Sequence, residues 1–157
     1  MKRTLSTLLF ALAFAFVARP QQAWADMADE DPYRYGMPDL MGFIANWNAE
    51  SAAFLNSVEA KPELACSAAQ RELVFRGQSM VNDLIGTGHW APANLQLIHQ
   101  NAAQGLQRAV DGLALAGQDC SGGSLAQGEQ RFQRGVFRYE LYGAAIDRYL
   151  KGQTLGN

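Results

Sequence analysis

Two cysteines bracket two helical stretches, and that spacing limits the folds open to this chain more than any other feature. Cys66 lies near the start of the stretch 62–85, and Cys120 follows directly on the stretch 92–116. Packed as antiparallel neighbours, the start of one stretch lies beside the end of the other. Both thiols then meet at the same end of the pair, and a Cys66–Cys120 disulfide is expected. Closing a loop of that length removes denatured-state entropy worth roughly 4 kcal/mol.

The N-terminus supports the oxidised state. Lys2 and Arg3 precede an apolar run over 5–17, too short to span a bilayer. Ala23-Trp24-Ala25 then supplies the small residues that a signal peptidase reads. Residues 1–25 are expected to be a signal peptide, and the mature protein to be periplasmic or secreted. In such a compartment a cysteine pair favours a disulfide over free thiols. No second apolar run suits a membrane span. The leader takes three of the 13 basic residues and none of the 15 acidic ones, so the net charge moves from −2 to −5. That balance argues against nucleic-acid binding, which needs clustered positive charge.

Taken in order, the remainder reads as all-α. Residues 26–36 form a polar entry segment whose acids lack calcium-loop spacing. Pro38 and Asp39 suit the first turn of a helix. Leu40, Ile44, Trp47, Ser51, Phe54 and Val58 recur at spacings of three and four, with Phe43 and Leu55 widening the face. Pro62-Glu63 opens a second helix with a stripe of Cys66, Leu73, Gly77, Met80 and Leu84, widened by Val74, Val81 and Ile85. Gly77 in its middle implies close approach of a neighbour, since glycine there costs about 1 kcal/mol. Pro92 opens a third helix, in which large residues alternate with alanine from Leu95 to Ala116 and the outer face carries Gln96, Gln100, Gln104 and Gln107. After the link Ser121-Gly122-Gly123-Ser124, a fourth helix spans 125–150. Four helices with short links imply an antiparallel up-down-up-down four-helix bundle with one inter-helix disulfide. The bundle domain is expected over 37–151, with a frayed tail at 152–157.

Two groups of residues stand out. Arg131, Arg134 and Arg138 lie on one face of the fourth helix, and none has a carboxylate three or four positions away. They pair with another helix, with an acid such as Glu50, or with something outside the chain. Phe137 and Tyr142 add aromatics to the same helix, and aromatic and arginine side chains together are the composition of binding hot spots. The second group is set by topology, which brings Tyr33, Tyr35, His89 and Trp90 to one pole as a candidate ligand site.

Catalysis is not expected. No nucleophile motif surrounds any serine, and the cysteines are committed to a bond. No cofactor is expected. CxxCH is absent, which excludes covalently attached c-type haem. A haem held without covalent attachment could be ligated by His99 and a methionine such as Met41 or Met80. The sequence therefore points to an exported, non-enzymatic bundle that binds another protein, as an inhibitor, immunity or accessory factor. The alternative is a small-ligand or haem carrier or sensor. Homodimerisation through exposed aromatics is compatible with both.

Overall fold

The computed structural model describes residues 31–152. The expected signal peptide, residues 26–30 of the entry segment and residues 153–157 of the tail lie outside the described residues. Four helices pack into the expected bundle: α1 (Pro32–Ala60), α2 (Ala68–Thr87), α3 (Gln96–Ala116) and α4 (Leu125–Leu150). Cys66 and Cys120 are bonded, with their Cα atoms 5.2 Å apart. Short 3-10 turns, Pro62–Cys66 and Gly88–Trp90, lie on either side of α2.

Three boundaries differ from the sequence reading. Helix α1 starts at Pro32 rather than near Pro38, so Tyr33 and Tyr35 belong to the helix. Asp31 caps it by accepting from the Tyr33 amide at 3.1 Å, and Pro32 occupies the first turn. Pro38 then sits inside the helix, where it removes a hydrogen bond at a cost of about 3 kcal/mol. Complete burial of Tyr33 and Met37 offsets this, at roughly 1.5–3 kcal/mol for each large apolar side chain. The second difference concerns Cys66, which lies in the 3-10 turn and not on the α2 stripe. Ser67 interrupts the chain and caps α2 by accepting from the Gln70 amide. Third, Pro92 to Leu95 forms a hydrogen-bonded turn, and α3 proper starts at Gln96. Phe43 and Ile85, expected at the edges of buried faces, are exposed.

The link after α3 is organised by one side chain. The Asp119 carboxylate accepts from the Ser121 amide and hydroxyl and from the Gly123 amide. The Ser121 hydroxyl, then the backbone amides, hold this exposed carboxyl below the usual range. Gly122 takes φ +82°, a left-handed conformation that favours glycine.

The closest packing in the molecule is between α3 and α4. Glycines alternate across this antiparallel seam, each opposite a larger residue. Gly105 faces Tyr139, Gly135 faces Ala109, Gly112 faces Phe132 and Gly128 faces Ala116. A Cβ built on any of the four would collide with backbone of the other helix; on Gly105 it would lie 2.6 Å from the Tyr139 nitrogen. Gly77 of α2 similarly admits the Trp47 ring and Val110. Trp47 in turn donates its indole N–H to the Leu73 carbonyl at 2.7 Å, tying α1 to α2. Buried Gln70 donates to the Leu113 carbonyl at 2.8 Å, tying α2 to α3.

This seam reverses the usual sign of a glycine substitution. Gly112→Ala and Gly135→Ala should each destabilise the fold by about 1–3 kcal/mol through overpacking, despite alanine's better helix propensity. Gly42→Ala on α1, where a Cβ meets nothing within 4 Å, should raise stability by up to about 1 kcal/mol. Thermal melts of the three variants check this; a stabilising Gly112→Ala would contradict backbone contact between α3 and α4.

Candidate functional site

The seam fixes which face of α4 looks outward. Phe132, Gly135 and Tyr139 turn inward, so Arg131, Arg134 and Arg138 line the edge toward α3. Arg131 donates to Asp111 of α3 at 2.9 Å. Asp111 also accepts from Gln107, which exchanges hydrogen bonds with Gln78 of α2. Arg138 donates to the side-chain oxygens of Asn101 and Gln104, and its guanidinium lies 6.0 Å from the Tyr142 ring centre. Polar side chains of α3 thus seat two of the α4 arginines, Arg131 and Arg138. Glu50 is taken by Arg76 of α2 at 2.8 Å rather than by α4.

Arg108 of α3 joins this surface, and sequence reasoning missed it. Its signal was available only in register: α3 and α4 run antiparallel, which brings position 108 beside 134. Arg108 and Arg134 line the same two shallow clefts. Among the described residues, neither has a carboxylate within ion-pair distance. Phe137 stands beside them, 69% exposed, whereas Tyr142 is half-buried against the core.

The four residues expected at one pole differ in burial. Tyr33 is fully buried, while Tyr35 and Trp90 are 67% and 56% exposed. His89 is exposed and lines a shallow cleft of about 370 Å³ with Gln96, His99 and Gln100. The Tyr33 ring packs against Tyr149, whose other neighbours are the Arg34 guanidinium and the Asp31 carboxylate.

The residue that organises this pole is His99, only 2% exposed. It sits on the α3 stripe, four residues after Leu95 and three before Ala102, and that spacing was the available signal for its burial. Its Nε2 donates to the Leu84 carbonyl in the last turn of α2, where backbone acceptors lack helical partners. Nδ1 is therefore the acceptor, and the Tyr33 hydroxyl donates to it at 3.0 Å. His99 thereby joins α1, α2 and α3. Both ring nitrogens are engaged, so ligating iron through either one would break a buried hydrogen bond. Burial pushes the His99 imidazole below the usual histidine range, against the opposing pull of the Leu84 carbonyl, and burial also raises the Tyr33 hydroxyl.

A second groove, of about 480 Å³, lies between α1 and α4. Ala45, Ala49 and Ala52 form one wall, with Val136, Phe137 and Glu140 on the other. The Tyr139 hydroxyl and the Asn48 Oδ1, from residues that also line this groove, are buried without hydrogen-bond partners among the described residues. Among those residues no group of three or more His, Cys, Asp or Glu is placed to hold a metal ion.

The buried neutral His99 sets the sign of an acid response. Above about pH 6.5 both folded and unfolded chains hold the imidazole neutral, and its full contribution is present. As the pH falls below that value the unfolded chain takes a proton that the folded one resists, so stability declines. The melting midpoint should therefore drop as the pH is lowered below about 6.5. In His99→Gln, which can donate and accept in the same directions, that step should be absent. An unchanged pH profile in the variant would contradict the assignment.

No family model matches the chain, and no curated protein or solved structure matches it. Its function is accordingly read from its own side chains.

Proposed function

We propose that this protein is an exported, non-enzymatic helical bundle that acts by binding another protein through the α4 face. The observation that carries this reading is the arginine surface. In a chain of net charge −2, Arg108, Arg131, Arg134 and Arg138 gather along one helix pair with an exposed phenylalanine beside them. Arg131 and Arg138 are held in place by α3, which lowers the entropy lost on binding. Aromatic and arginine anchors of this kind dominate protein interfaces. The Cys66–Cys120 bond fits an oxidising compartment, and no helix among the described residues is long and apolar enough to cross a membrane. An inhibitor, an immunity factor and an accessory subunit are all compatible with such a surface.

A second reading, a small-ligand carrier, draws on the α1–α4 groove and the unpartnered Tyr139 hydroxyl. One preparation separates the two: the mature protein, exported by its own host and purified without reductant. Under the binding reading it carries no small molecule and captures a protein partner. Arg131→Glu with Arg134→Glu should weaken that capture about tenfold or more while keeping the helical signal and costing the fold only about 1 kcal/mol, from loss of the exposed Arg131–Asp111 pair. A double variant that captures the partner as well as wild type would overturn the reading. A bound small mass in native mass spectrometry would favour the carrier.

A further inference from the structure

The four arginines are not equivalent. Arg131 is occupied by Asp111, and Arg138 by Asn101, Gln104 and the Tyr142 ring. Arg108 and Arg134 form no ion pair among the described residues, and both line both clefts of this surface, of about 360 and 540 Å³. Arg131 borders only the first cleft, while Phe137 and Arg138 border only the second. The surface thus has two braced guanidiniums outside and two free ones between them.

A free guanidinium presents a planar fork that matches a carboxylate, and two adjacent forks match two carboxylates. We infer that Arg108 and Arg134 are the recognition pair, and that their occupant is a short acidic segment of a partner protein, with an apolar residue set against Phe137. This deepens the proposed function and rests on it. The dimensions and surroundings favour an acidic peptide over a polyphosphate. From Arg131 to Arg138 the strip runs about 10 Å along the helix axis, room for two or three carboxylates. Nucleic-acid duplexes need a longer run of positive charge. Here the positive strip is confined to this one helix pair in a chain that is acidic as a whole. An exposed phenylalanine beside the free pair also suits a segment that mixes acidic with apolar side chains.

The test is fluorescence anisotropy on the mature, disulfide-bonded protein. The probe is a dye-labelled peptide with glutamate at every third or fourth position and leucine beside it. The comparators are the same peptide with glutamine for glutamate, and a labelled single-stranded oligonucleotide. The glutamate peptide should bind, more weakly as salt is raised, and lose about tenfold or more in affinity to Arg108→Gln with Arg134→Gln. Arg76→Gln, which removes an arginine already paired with Glu50, should leave binding unchanged. Three results would overturn the inference: equal binding of the glutamine peptide, equal binding by the Arg108 and Arg134 variant, or tighter binding of the oligonucleotide. Its failure is separable from that of the proposed function. A natural partner lost by Arg131→Glu with Arg134→Glu, but kept by Arg108→Gln with Arg134→Gln, leaves the binding face standing and removes the recognition pair.

Discussion

The backbone contact between α3 and α4 is the constraint from which the rest of the structure follows. Four glycines in helix interiors cost about 1 kcal/mol each in intrinsic propensity. The return is a seam in which each helix touches the other's main chain, with large or alanine side chains fitting over the facing glycines. Closely packed atoms gain dispersion energy at many points, and Cα–H groups approach carbonyl oxygens such as that of Gly128 opposite Gly112. With the rotation of α4 fixed in this way, Tyr139 and Phe132 point inward, and Arg134 and Phe137 have nowhere to go but outward.

The two ends of the bundle are fastened by different chemistry. At one end the Cys66–Cys120 bond ties the turn before α2 to the loop after α3, and Asp119 orders that loop through hydrogen bonds. At the other, no covalent link exists among the described residues. There His99 fills the role, bonding Tyr33 at the start of α1 and Leu84 at the end of α2. The covalent end is sensitive to reduction and the histidine end to acid. Between them α1 packs on α4 far less closely than α3 does, which is why a groove opens along that seam and not along the glycine seam.

Much of this was legible in the sequence. The spacing of Leu40, Ile44, Trp47 and Ser51 marked one buried face, and the positions of Cys66 and Cys120 implied their bond. Gly77 signalled close approach, and the structure puts the Trp47 ring against it. What escaped was information that exists only between helices. Nothing local relates Gly105 and Gly112 to Gly128 and Gly135 until α3 and α4 are set antiparallel. Arg108 looks unrelated to Arg134 for the same reason. Pro38 was a sound local signal for a helix start that burial of Tyr33 and Met37 overrode. At the pole, Tyr33 and Tyr35 are two apart on a helix and so point in different directions, one into the core and one to solvent.

The most direct test of the glycine seam is a nuclear Overhauser measurement on the isotope-labelled protein. Backbone contact predicts cross-peaks from the Hα protons of Gly105 and Gly112 to the amides of Tyr139 and Phe132, and from those of Gly128 and Gly135 to the amides of Ala116 and Ala109. Helices held apart by side chains at the usual 8–10 Å would show none of them. That result would remove the reason for the outward set of α4 and, with it, the arginine surface.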